Sequence, residues 1–103
     1  MRDDREWLQD ILRATERIEQ YSSQGREAFD RQELIQVWMI YHLQIIGEAS
    51  RALSPEIRQQ YPEVPWSKII GLRNILIHEH FRIKLQVVWS IVEGQLPDLK
   101  LAS

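Results

Sequence analysis

The segment Gly71–Phe81 gathers the residues of this chain most able to do chemistry. Arg73 is followed by Asn74, three aliphatic residues, His78, Glu79 and His80. Nowhere else does a proton-transfer group sit beside a fixed cation. A histidine with a near-neutral pKa can take a proton from a hydroxyl or return one to a leaving oxygen. A guanidinium can neutralise charge that builds on a phosphoryl transition state. That pairing suits cleavage of an RNA phosphodiester and needs no metal, with Asn74 placed to hold His78 or a phosphate oxygen. Spacing limits the idea. Five residues of straight helix separate Arg73 from His78 by roughly 140° and about 7.5 Å of rise. Asn74 and His78, four apart, share a face. Arg73 and His78 converge if the helix loosens near His78, if the arginine swings round, or if a second subunit completes the site. A symmetric dimer would place two Arg-His pairs in one cleft.

From spacing alone, the ordinary reading of Arg73 and His78 is a surface cation and a helix-end histidine. His42, on an apolar helix, reads as a core or interface residue. Glu48 is polar on the same helix, and either pairs with a buried arginine or faces water. His78 and His80 are a poor metal site in a chain with no cysteine and no clustered carboxylates. No metal and no cofactor is expected.

Composition narrows the function classes. The 103 residues have one domain's length and are 44% hydrophobic, enough for one core. The absence of cysteine excludes disulfides and thiolate metal sites and fits a cytoplasmic protein. The longest apolar runs span about five residues, far below the ~20 of a membrane helix. No signal peptide is visible. Net charge is −2, which disfavours a generally basic nucleic-acid binder. The distribution is more telling. Between Trp66 and Gln86, Lys68, Arg73, Arg82 and Lys84 face one acid, Glu79. A local basic patch on an acidic protein suits an anionic ligand, with Lys68, Arg82 and Lys84 as candidate RNA contacts.

The elements that must position these residues are all helical. Trp7, Ile11, Ala14, Ile18 and Tyr21 recur at threes and fours, predicting a helix from Asp4 to about Tyr21 that ends at Ser22–Gly25. Asp30 and Glu33 resemble a capping box for a long helix from about Arg31 to Leu53. That helix carries two apolar stripes, Leu34, Val37, Trp38, Tyr41 and Ile45 on one side and Ile35, Met39, His42, Ile46, Ala49 and Leu53 on the other. Such breadth predicts the centre of a bundle or a subunit interface. Ser54 and Pro55 predict the cap and first turn of a short helix that stops before Pro62. An extended connection, Tyr61–Pro65, leads to the motif helix, from about Trp66 to Ile77 or His80. Gly71 within it predicts close approach of a neighbouring helix, of this chain or of another subunit. A last helix over about Ile83–Gln95 is ended by Gly94 and Pro97. No β pattern or repeat is present. The expected architecture is a single domain, 1–103, an antiparallel bundle of four main helices plus a short one.

Several linked motifs then carry a resemblance. They are Ile45-Ile46-Gly47-Glu48-Ala49, Leu53-Ser54-Pro55-Glu56, Tyr61-Pro62-Glu63-Val64-Pro65-Trp66, Leu72-Arg73-Asn74-Ile75-Leu76-Ile77-His78-Glu79 and Val88-Trp89-Ser90-Ile91-Val92, in that order. Together they resemble the HepT-type toxins of the HEPN superfamily over nearly the whole chain. The resemblance implies an all-helical ribonuclease that dimerises to build its site, with Arg73 and His78 catalytic and Asn74 assisting. It also implies a partner, a small nucleotidyltransferase antitoxin of the MntA type, in a larger hetero-oligomer. In that family the antitoxin transfers AMP to the tyrosine of an Arg-x4-His-x-Tyr motif. Here that position is His80, which has no phenolic oxygen to modify. An altered or engineered form, neutralisation by binding alone, modification elsewhere and a catalytic part for His80 all stay open.

The functional reading is therefore a metal-independent endoribonuclease toxin acting on tRNA or mRNA. The alternative is a catalytically silent helical dimer that binds the nucleotidyltransferase. A nucleotide-binding domain is weaker, because no glycine-rich phosphate loop is present.

Overall fold

The computed structural model describes residues 2–71, 85–94 and 96–102. Every element among them is a helix: α1 (Asp4–Ser22), α2 (Arg26–Arg31), α3 (Glu33–Ala52), α4 (Pro55–Gln60), α5 over 66–71, α6 (Leu85–Gly94) and α7 (Leu96–Ala102). The all-α expectation holds. None of the described helices is long and apolar enough to cross a membrane.

α1 and α3 form the framework. α1 starts on Asp3, whose Oδ1 accepts from the Glu6 amide at 3.1 Å. It buries Ile11, Ala14, Thr15 and Ile18, one face of a helical period. Thr15 is tolerated there because its hydroxyl donates to the Ile11 carbonyl at 2.8 Å. α3 buries Ile35, Met39, His42, Leu43, Ile46, Ala49 and Ser50 against that face. Removing an aliphatic side chain such as Ile46 from water contributes about 1.5–3 kcal/mol. The pair runs antiparallel: Asp4, opening α1, bonds Ser54 just beyond α3, while the Trp38 indole, early in α3, donates to the Arg17 carbonyl late in α1 at 2.8 Å.

The join between Asp4 and Ser54 fixes where α4 begins. One Asp4 oxygen accepts from the Ser54 amide at 2.9 Å and the other from its hydroxyl at 2.7 Å. The same hydroxyl oxygen accepts from the Ile57 amide, making Ser54 the predicted N-cap. These bonds favour the ionised carboxyl, first the Ser54 hydroxyl and then its amide, and hold Asp4 below its ordinary pKa. A carboxylate depressed on folding adds stability above its unfolded pKa, about 3.9, and loses it as pH falls through the folded value. The urea midpoint of Asp4→Ala is therefore expected below that of the natural chain at pH 6, with the gap narrowing below about pH 4. A gap constant from pH 7 to pH 2 would contradict this origin.

Several boundaries differ from expectation. α2 is a separate helix that the sequence reading missed. Gly25 precedes it at φ +92°, a left-handed conformation natural to glycine. Its single buried side chain, Phe29, packs on Trp89 of α6 with ring centroids 5.3 Å apart. The expected Asp30 and Glu33 capping box is absent. Asp30 lies inside α2, paired to Arg26 one turn back, and Gln32, in extended conformation, ends α2 and opens α3 without a side-chain cap. Gln36 reaches back instead, donating to the carbonyls of Phe29 at 2.9 Å and Asp30 at 3.4 Å. At the other end Gly94 closes α6, but Pro97 does not stop the chain. It stands in the first turn of α7, where no amide hydrogen is needed. Leu96 and Leu99 are buried, and Lys100 pairs with Glu19 of α1 at 2.8 Å. The described residues therefore include two short helices, α2 and α7, that were not expected.

Candidate active site

Arg73, Asn74, His78, His80, Arg82 and Lys84 lie outside the described residues. The approach to them is described, and its bonds show how α5 is aimed. The Trp66 indole donates to the carbonyls of Arg58 at 3.0 Å and Tyr61 at 3.1 Å, at the end of α4, each of which also accepts a backbone amide. Tyr61–Pro65, expected to be extended, instead folds back, with the Val64 amide donating to the Tyr61 carbonyl. The Pro65 carbonyl accepts from Lys68 and Ile69, opening α5. Val64 and Ile69 are buried while Lys68 is exposed, so α5 turns its apolar side inward and Lys68 to solvent. Lys68 makes no ion pair with a described carboxylate. A Cβ on Gly71 would meet no described atom within 4 Å, so no described helix of this chain approaches it closely; a helix of another subunit is the form of the expectation left standing.

His42 is a core residue, as its position on α3 suggested. It is 5% exposed. Its Nδ1 lies 2.7 Å from the Trp38 carbonyl, and its ring packs against Trp38 and Tyr41. A carbonyl only accepts, so Nδ1 carries the proton and Nε2 is left for other partners. Glu48 is exposed. Among the described residues, no group of three or more histidines and carboxylates could hold a metal ion.

The two stripes of α3 have different fates. Ile35, Met39, His42, Ile46, Ala49 and Leu53 form the core side. The other stripe is left largely open: Leu34 is 83% exposed, Tyr41 59% and Val37 56%. With Tyr21 and Trp38 they line an apolar groove of about 590 Å³. A second groove of about 400 Å³ lies between α1 and α3, lined by Asp10, Arg13, Ala14, Arg17, Tyr41, His42 and Ile45. The sequence reading did not single out Arg13 and Arg17. Their four-residue spacing on one side of α1 was the available signal.

Comparison with known proteins gives a family match over most of the chain. Residues 11–103 match the family described as "Ribonuclease HepT-like". The chain is 37% identical over 100 residues to "Putative RNase MJ1380" of Methanocaldococcus jannaschii, covering 96% of this chain and 92% of that protein. It is 34% identical over 100 residues to "Probable ribonuclease HepT" of Thermococcus cleftensis, covering 96% and 91%. No solved structure matches. The family span includes the whole Arg73–His80 segment, and the chain belongs to the HepT-like ribonuclease family of the HEPN superfamily.

Proposed function

We propose that this protein is a metal-independent endoribonuclease toxin of a toxin–antitoxin pair, acting on tRNA or mRNA. The observation that carries the reading is the family match over 11–103, a span that includes Arg73, Asn74 and His78. His78 removes the proton from a ribose 2′-hydroxyl. The new bond from O2′ to phosphorus forms as the bond to O5′ breaks, and a protonated histidine supplies the proton to O5′. In a homodimer the two His78 side chains serve as base and acid. Arg73 neutralises the phosphorane-like charge, Asn74 positions, and Lys68, Arg82 and Lys84 hold the RNA backbone. The products are a 2′,3′-cyclic phosphate and a 5′-hydroxyl.

The partner in this reading is an MntA-type nucleotidyltransferase. AMP transfer to a phenolic oxygen cannot occur at His80, so silencing by binding and modification at another residue remain the alternatives. The second reading, a silent dimer that holds the nucleotidyltransferase, draws support from the exposed Leu34, Val37 and Tyr41 face.

Expression in a bacterial host separates the two. The chain alone is expected to arrest growth, Arg73→Ala is expected not to, and co-expression of the cognate nucleotidyltransferase should relieve the arrest. Equal growth of strains expressing the chain and Arg73→Ala at matched protein levels would favour the silent module.

A further inference from the structure

The groove between α1 and α3 has the chemistry of a site, and its lining residues are distant in sequence from Arg73 and His78. Arg13 and Arg17 stand four residues apart on α1, both exposed, along the same groove. Neither makes an ion pair with a described carboxylate, although Arg2, Arg26 and Arg31 all do. The one carboxylate in the lining, Asp10, is already neutralised by Arg2 at 2.7 Å. The groove therefore presents two uncompensated guanidiniums. Their planar donor forks match phosphate oxygens.

The opposite wall is aromatic and rigid. Tyr41 is largely exposed, and its ring meets that of His42 edge-on, at 5.1 Å and 88°. His42 is held in turn by its Nδ1 bond to the Trp38 carbonyl, which leaves Nε2 as the ring's remaining polar atom. Trp38 is anchored across the groove by its indole bond to the Arg17 carbonyl. A volume of about 400 Å³ is within the range of small-molecule sites. Guanidiniums for a phosphate, an aromatic face for a base and a fixed imidazole for a polar edge are together what a nucleotide unit requires.

We propose that this groove binds a phosphorylated nucleotide unit, supplied by a single-stranded stretch of the RNA substrate. The phosphate lies on Arg13 and Arg17 and the base stacks on Tyr41. The proposal rests on the ribonuclease reading for its source of ligand, and it makes the groove a substrate subsite that positions RNA without touching the reacting atoms.

The test uses the full chain and a fluorescent 2′-O-methyl RNA 12-mer, which binds but has no 2′-hydroxyl to react. The variants are Arg13→Ala/Arg17→Ala, its lysine counterpart Arg13→Lys/Arg17→Lys, Tyr41→Ala and Tyr41→Phe. The double alanine variant is expected to weaken binding at least tenfold at low salt and to reduce the slope of log K against log salt by about 0.7, for one lost phosphate contact on a single strand. The double lysine variant should recover most of that slope. Tyr41→Ala should lose about fivefold or more, and Tyr41→Phe little, because stacking needs the ring and not the hydroxyl. In cleavage assays KM should rise with kcat within about twofold.

Unchanged affinity and salt slope in the folded double alanine variant would overturn the groove. That result leaves the ribonuclease reading standing wherever wild type still cleaves RNA and His78→Ala does not. Conversely, a chain that cleaves nothing still reports on the groove through the uncleavable probe. Titration with AMP distinguishes the sources. If AMP binds as tightly as the 12-mer and is lost with the same variants, the groove takes a free mononucleotide and the RNA assignment fails. If the double alanine variant dissociates a dimer without changing RNA affinity, the groove is a contact between copies and the proposal fails.

Discussion

Replacing His78 with alanine is expected to lower RNA cleavage by about 10²- to 10⁴-fold, the share general acid–base catalysis usually carries, with the helical circular dichroism spectrum retained. The expectation follows from the proposed division of labour. One imidazole must accept the 2′-hydroxyl proton and another must supply one to the leaving oxygen. His42 is not placed to take over, because it is buried and bonded to Trp38 in the core of α1 and α3. His80 tests the point further. If it shares the proton transfer, His78→Ala should retain activity that His78→Ala/His80→Ala loses. Arg73→Lys should also be impaired, since lysine keeps the charge but loses the planar fork. Wild-type rates in His78→Ala would remove the histidine from the mechanism.

Phe29→Ala is expected to cost about 3–5 kcal/mol, near the upper range for a single core substitution. Phe29 is 1% exposed and is the buried side chain through which α2 joins the bundle, stacking on Trp89 of α6. Its loss opens a cavity under a six-residue helix that is otherwise held to α3 by the Gln36 bonds to the Phe29 and Asp30 carbonyls. The ion pair of Arg31 with Glu27 is largely solvent-exposed and contributes little. A urea titration should show a lower midpoint with the m-value unchanged, and Phe29→Leu should recover part of the loss. A loss below about 1 kcal/mol would mean that α2 is not anchored through this ring.

That same phenylalanine shows where the sequence was hard to read. A lone apolar residue in Arg26-Glu27-Ala28-Phe29-Asp30-Arg31 gives no period. α2 is held by a contact with Trp89, sixty residues away, which local pattern does not record. Pro97 misled for a related reason: proline ends one helix and opens another equally well, and only the burial of Leu96 and Leu99 distinguishes the two. By contrast α1, α3 and α4 were legible because their signals are local. Ile11, Ala14 and Ile18 mark a face, and Ser54-Pro55 marks a cap. Both stripes of α3 were visible, but which one the chain itself buries depends on where α1 lies. The proposed catalytic residues, Arg73, Asn74 and His78, rest on motif spacing and resemblance and lie outside the described residues. Arg13 and Arg17 were not legible, since a surface arginine pair gains meaning only when Tyr41 and His42 stand across from it.

The most direct test of the central claim is cleavage of total tRNA and an mRNA transcript with EDTA present. Wild type would be run beside Arg73→Ala and His78→Ala, all three confirmed as folded by circular dichroism. Cleavage by wild type alone, with 2′,3′-cyclic phosphate and 5′-hydroxyl ends, is the predicted result. Intact RNA with a folded wild-type dimer, or equal cleavage by all three proteins, would contradict it.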